Sequence, residues 1–180
     1  MLSGRRILLG VTGGIAAYKS AYLARRLGEQ GAEVRVVMTA AAERFVGRQT
    51  FAAITGHSVE TDLFQGSSPS PHTDLARWAE LIVVAPATTN LLGRLANGLA
   101  DDLLTNILLA ADSPVVLAPA MHTEMWEHPA TRRNIARLRE DGHEIIGPDS
   151  GELAGGDVGA GRMSEPEAIL AVVEKLLEHA

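Results

Sequence analysis

LLGVTGGIAAYK, residues 8–19, carries the chain from a strand into a helix through a glycine turn. Ile7-Leu8-Leu9 is an apolar run of the kind a buried strand carries. It stops at Gly10-Val11-Thr12-Gly13-Gly14, where a helical pattern opens with Ile15-Ala16-Ala17. Glycines in such a turn admit positive φ and let an anion come close to the backbone. The first amides of the helix have no intrahelical partner and point at that anion. Phosphate is the expected guest, although the spacing is neither GxGxxG nor GxxxxGK(S/T). The other reading of Gly13 and Gly14, that they only allow close packing of helix on sheet, stands beside it.

The 180 residues, 46% of them hydrophobic, are enough for one domain with a proper buried core. With 22 acidic against 16 basic residues the net charge is −6, and basic residues cluster only in pairs such as Arg5-Arg6 and Arg132-Arg133. Nucleic acid and anionic membrane are therefore not expected partners. Cysteine is absent, which removes disulfides, thiolate metal sites and a cysteine nucleophile. No signal peptide is read at the start, and no apolar run approaches the roughly 20 residues of a membrane span. The expected location is the cytoplasm.

Outward from the turn, Ala16, Leu23 and Leu27 share a helical face flanked by Ile15, and Gly31 closes that helix. Residues 34–38 read as a second strand ending at Thr39, which stands either at a ligand edge or as a helix N-cap. A short helix is expected over 47–56. Residues 57–71 read as irregular, and the Gln65-Gly66-Ser67-Ser68-Pro69-Ser70-Pro71 patch delivers the chain to His72 on a working loop. Residues 81–84 make a third strand, and Thr88-Thr89-Asn90 opens the longest helix, striped by Leu92, Leu95, Leu99, Leu103 and Ile107 and interrupted by Gly98 and by Asp101-Asp102, which read as a solvated turn or a subunit contact. Residues 114–117 are a fourth strand, followed by a helix through Leu138, and 143–146 a short fifth strand. Residues 150–163 show no periodicity, and Ser164-x-x-Glu167 reads as a capping box opening the last helix. Strands alternating with helices at this pitch predict an α/β fold: a three-layer, doubly wound parallel sheet of Rossmann or flavodoxin-like type. Three loops, after the first, third and fourth strands, converge on its C-terminal edge.

Taken together, GVTGGIAAYK (10–19), PHTDLARWAE (71–80), APATTNLLGRLANGLADDLL (85–104), APAMHTEMWEHPA (118–130) and GELAGGDVGAGRM (151–163) resemble the homo-oligomeric flavin-containing cysteine decarboxylases. The resemblance is strongest to the branch that serves coenzyme A biosynthesis, with the peptidyl-cysteine branch a near relative. It implies a single flavin-binding domain over residues 1–180, with FMN, or alternatively FAD, as cofactor. Thr12, Gly13, Gly14 and Ile15 would face its phosphate and ribityl chain, with Thr39 beside them. Thr88, Thr89 and Asn90 would complete the cradle, and Met121 would lie near the ring system. His72 matches the family's catalytic histidine, suited to accept a proton near neutrality. Pro119, Met121, His122, Met125 and Trp126 match its PxMNxxMW substrate motif; Met125 and Trp126 also read as core positions.

The chemistry the resemblance implies is oxidative. Losing CO₂ directly would leave an unstabilised carbanion. The thiol therefore first gives a hydride equivalent to flavin, and the resulting thioaldehyde accepts the electrons left by decarboxylation, yielding an enethiol. Two positions depart from the family. His122 stands where asparagine is usual, and Gly155 stands where coenzyme A enzymes commonly carry a cysteine that protonates the enethiol. Stopping at the enethiol slightly favours the C-terminal cysteine of a ribosomally made peptide as substrate, over phosphopantothenoylcysteine in coenzyme A biosynthesis. A non-catalytic regulatory flavoprotein is the reading from another class, and a flavin prenyltransferase ranks third. His57, His128, His143 and His179 are scattered, so no metal site is expected. A trimer, or trimers assembled into a dodecamer, with cofactor between subunits is also implied.

Overall fold

A computed structural model describes residues 2–64 and 68–178. Its strands are β1 (Arg6–Val11), β2 (Glu33–Met38), β3 (Val59–Glu60), β4 (Leu81–Ala87), β5 (Val115–Pro119) and β6 (Glu144–Ile145). They alternate with α1 (Ala17–Glu29), α2 (Arg48–Thr55), α3 (Pro71–Trp78), α4 (Thr89–Ala96), α5 (Leu103–Ala110), α6 (Thr123–Glu127) and α7 (Pro129–Glu140). A separate antiparallel hairpin, β7 (Asp149–Glu152) and β8 (Val158–Arg162), precedes α8 (Pro166–Glu178).

The six strands form one parallel sheet in the order β3-β2-β1-β4-β5-β6. Alternation along β1 shows why both faces are covered. Ile7, Leu9 and Val11 join a buried cluster with Leu23 and Leu27 of α1, Phe51 of α2 and Ile169 of α8. Leu8, between them, points the other way into a cluster with Leu75, Leu92, Leu104 and Ile135 of α3, α4, α5 and α7. Truncating a fully buried leucine such as Leu8 to alanine costs about 2–5 kcal/mol. The three-layer, doubly wound sheet expected from the sequence is the one observed. With β1 beside both β2 and β4, the crossover direction reverses there, and a crevice opens beyond the carboxyl ends of β1 and β4.

Several local expectations are corrected. The long helix after β4 is two helices, because Asn97 ends α4, Gly98 turns at φ +66° and Asp102 starts α5 with a capping box to Thr105. Leu99, counted in the apolar stripe, is exposed in that turn. The helix after β5 likewise breaks at His128, whose Nδ1 accepts from the Ala130 amide (3.2 Å) before Pro129 opens α7. The stretch 57–71 contains β3, so the 143–146 strand is the sixth of the sheet. Residues 150–163 form the β7–β8 hairpin, and its apolar periodicity is missing because glycines carry its contacts. A Cβ on Gly159 would collide with Thr123 Oγ1, and one on Gly161 with the Met121 carbonyl oxygen. The Ser164 hydroxyl donates to Asp149 Oδ1 (2.9 Å), and the Ala168 and Ile169 amides bond the Glu165 carbonyl, so the expected capping box is not formed. The Gln65-Gly66-Ser67 part of the low-complexity patch, and His179, lie outside the described residues.

Candidate active site

A cavity of about 1190 Å³ occupies the crevice at the carboxyl ends of β1 and β4. The turn after β1 supplies Thr12, Gly13, Gly14 and Ile15, β2 ends in Thr39, and α4 opens with Thr88, Thr89 and Asn90. Met121, His122 and Met125 enter from the segment after β5. Two helix N-termini, those of α1 and α4, thus face one space from the two strands at the reversal point.

Thr12 is buried and holds the two turns together. Its Oγ1 donates to the Pro86 carbonyl (2.6 Å) and accepts from the Thr88 amide (3.2 Å). In the α1 turn, the Gly14 amide bonds Thr12 O and the Ala17 amide bonds Gly14 O. The amides of Gly13, Ile15 and Ala16 have no partner among the described residues. The two glycines differ. A Cβ on Gly13 would strike Ala41 Cβ, so here the close-packing reading holds, whereas one on Gly14 would meet nothing nearer than Thr88 Cγ2 at 3.6 Å, facing the cavity. Thr39 does both things expected of it. It lines the cavity, and its Oγ1 accepts from the Ala42 amide (3.3 Å) at the start of a short 3-10 turn.

Not every expected residue arrives. Pro119 is the buried last residue of β5, and Trp126 packs on the α4/α5 cluster, so both stand behind the wall. His72 is absent from the lining too. It sits in the first turn of α3, not on a loop, because Ser70 precedes Pro71 at the first helical position. Its Nδ1 is buried without a partner among the described residues. Ile15, expected to flank the buried face of α1, is 61% exposed at the cavity rim.

Charged residues missed by the sequence reading also line the cavity. Lys19, only 8% exposed, donates to Met163 O (3.1 Å) and to Glu165 Oε1 (2.8 Å). Arg162 of β8 donates to the same carboxylate, so Glu165 joins α1 to the hairpin. Hydrogen bonds from Lys19 and Arg162 hold the Glu165 carboxyl below the usual range. Arg94 pairs with Asp101 and with Asp102 (2.7 Å). A lysine one turn after a glycine turn was the available signal for the first cluster. For the second, Asp101-Asp102 inside an apolar stripe was the local mark, and its pairing with Arg94 was not read from it. Among the described residues no group of three or more His, Asp or Glu is placed to hold a metal ion, and no helix is long and apolar enough to cross a membrane.

A parallel sheet with a phosphate-ready turn at its reversal point defines an α/β protein of the nucleotide-binding, doubly wound class. The chain belongs to the Flavoprotein family, whose model matches residues 1–178. The coenzyme A biosynthesis bifunctional protein CoaBC of Bacillus subtilis (strain 168) is 52% identical over 177 residues, which are 97% of this chain and 44% of that protein. The chain therefore spans less than half the length of this curated relative. A PPC decarboxylase mutant complexed with pantothenoylaminoethenethiol superposes with a TM-score of 0.86 at 36% identity, covering 97% of this chain and 99% of the other. The FMN-dependent cysteine decarboxylase SpaF gives 0.85 at 36% identity, covering 96% of each. Membership of a flavoprotein family, read from the five motifs, is thereby established.

The residues fit a flavin phosphate. Three amides without partners at one helix start, and the open side of Gly14, make a cradle that a Cβ would fill.

Proposed function

We propose that the chain binds FMN in this cavity and decarboxylates phosphopantothenoylcysteine, as one flavin-binding domain of a cytoplasmic coenzyme A pathway. The observation that carries the reading is the sharing of one cavity by the phosphate turn, residues 12–15, and by Met121, His122 and Met125 of the segment read as substrate-binding. The 52% identity to CoaBC over 97% of this chain supports phosphopantothenoylcysteine over the peptide cysteine favoured on the two motif departures alone, while the solved PPC decarboxylase and SpaF are equally similar at 36%. The likeness to SpaF keeps the peptide as the second reading.

Bound flavin would supply the two-electron oxidation of the sulfur-bearing carbon that gives the electrons released with CO₂ a place to go. The chain's own residues bind and orient. The amides of Gly13, Ile15 and Ala16 and the hydroxyls of Thr39 and Thr88 hold the cofactor, with Asn90 and Thr89 closing its side. The Thr89 hydroxyl donates to Met121 Sδ (3.2 Å), fixing that side chain between cradle and substrate. His122 and Met125 contact the substrate, and Pro119 and Trp126 brace them from the core. His72 takes up the thiol proton.

Because His72 stands outside this chain's cavity lining, we infer that it serves the cavity of a second copy, in a homotrimer or a dodecamer of trimers. Ile15, Tyr18 and Phe45, exposed on the rim, support that packing. Incubation with phosphopantothenoylcysteine tests the substrate: loss of CO₂ alone, about 44 mass units, is expected. Loss of about 46 from a cysteine-ending peptide, with no effect on the small molecule, would instead select the second reading.

A further inference from the structure

Two positions singled out in the sequence, His122 and Gly155, are far apart in the chain and adjacent in space. A Cβ built on Gly155, at the tip of the β7–β8 hairpin, lies 3.6 Å from His122 Cε1. The hairpin holds that position firmly at its base. The Met121 amide bonds the Gly161 carbonyl (3.0 Å), and Gly159 and Gly161 press on Thr123 and Met121 without room for a side chain. Leu153 and Ala154 then reach over the cavity that His122 lines.

His122 is free for chemistry. It occupies the N-cap position of α6, where its carbonyl accepts from the Met125 and Trp126 amides, yet its imidazole caps nothing and forms no hydrogen bond or ion pair among the described residues. The other ionisable residues at the hairpin tip are Glu152 and Asp157. Asp157 Oδ2 is also 3.6 Å from the Gly155 Cβ position. Carboxylates at neutral pH accept protons, whereas an imidazole both gives and takes one there.

Resting on the proposed decarboxylation, we propose that His122 is the acid that protonates carbon after CO₂ has left, a task for which position 155 offers no side chain. The protonated imidazole gives its proton to the carbon that lost the carboxyl group. The carbon–carbon π pair forms the new C–H bond, a sulfur lone pair becomes the carbon–sulfur π bond of a thioaldehyde, and the negative charge on sulfur is discharged. The imidazole, now neutral, regains a proton from solvent. The hydride that then completes the saturated thiol is the one stored on the two-electron-reduced flavin. Placing the acid on α6 and not on the hairpin lets the same group face the carboxylate before it leaves and the carbanionic carbon afterwards.

Two experiments decide this. With FMN-loaded full chain and phosphopantothenoylcysteine, products are resolved by mass. Wild type yields the saturated thiol; H122N accumulates the enethiol, two hydrogens lighter, with saturated thiol down about 100-fold and CO₂ release down less than tenfold. In H122N/G155C a thiol at the neighbouring position restores the saturated product at least tenfold over H122N. Equal saturated product from H122N, no recovery in the double variant, or wild type stopping at the enethiol would each overturn His122 as donor while leaving the decarboxylation standing. No CO₂ release from wild type would overturn the decarboxylation itself.

The second experiment uses flavin-free protein. The chain has no cysteine, so G155C carries a single thiol. Its alkylation by iodoacetamide at pH 7 is expected to be about tenfold faster with His122 present than in G155C/H122N, because a neighbouring imidazolium favours the thiolate. D157N in the same background separates any opposing effect of that carboxylate. Equal rates in both backgrounds would show that positions 122 and 155 do not meet, and would overturn the proposal independently of turnover.

Discussion

Thr12 Oγ1 lies 3.2 Å from the Thr88 amide and accepts its proton while donating to Pro86 O, so one buried hydroxyl joins the turn after β1 to the turn after β4. These are the turns that open α1 and α4 onto the cavity. T12V leaves a carbonyl and an amide without this partner and is expected to lower unfolding free energy by about 1–3 kcal/mol in denaturant melts. T12S, which keeps both bonds, should stay within about 1 kcal/mol of wild type. Equal melts for T12V and T12S would deny the hydroxyl its joining role.

The two adjacent glycines should respond differently. G13A drives a methyl into Ala41 and should cost about 1–3 kcal/mol by denaturant melt. G14A meets only ordinary contacts, so its stability should change by under about 1 kcal/mol, while its affinity for FMN drops about tenfold or more as the methyl enters the cradle. Normal FMN binding by G14A would move the phosphate away from this turn.

Glu165 links pH to the closure of the hairpin. Its carboxyl is held below the usual range by Lys19 and Arg162, so its contribution to stability is full above the unfolded-state pKa and is lost as pH falls through the depressed folded value. Thermal melts of wild type and E165Q should differ by a constant gap above the ordinary glutamate pKa of about 4.3, and the gap should shrink progressively as pH falls below it. A gap that does not shrink at all on acidification would mean that packing, and not charge, sets the difference.

His72 gives a test of assembly. H72N should lower turnover by about 10²–10⁴-fold. If His72 serves a neighbouring copy, unfolding and refolding H72N together with a cradle variant such as G14D should regenerate activity that neither shows alone. Absence of complementation, with mixed oligomers verified by native mass spectrometry, would return His72 to its own chain.

What could be read from the residues alone follows the reach of the signals. Ile7, Leu81 and Val115 begin apolar runs of the kind a doubly covered parallel sheet carries, so the doubly wound sheet and the three converging loops were legible, while the order of strands across it came from the structure. The breaks at Gly98 and His128 were less so. Leu99 keeps the helical stripe in sequence, and the Asp102–Thr105 box and the positive φ of Gly98 show that the interruption there separates two helices. The hairpin was invisible to periodicity because Gly159 and Gly161 make its contacts through their lack of side chains. Residues 12–15, 88–90, 121 and 122, read from turn chemistry and motif, line the cavity. Lys19 and Arg94 were not singled out, since their carboxylate partners come from a distant segment or from a turn that looked helical, and the local Arg162–Glu165 pair did not reveal that Lys19 joins it. Trp126 shows the converse: a motif position that serves the core.

The most direct test of the central claim is a single mass-spectrometric measurement on FMN-reconstituted protein incubated with phosphopantothenoylcysteine. The account predicts a product lighter by about 44 mass units, formed only when flavin is present. Unchanged substrate in the presence of stoichiometric bound FMN would contradict it.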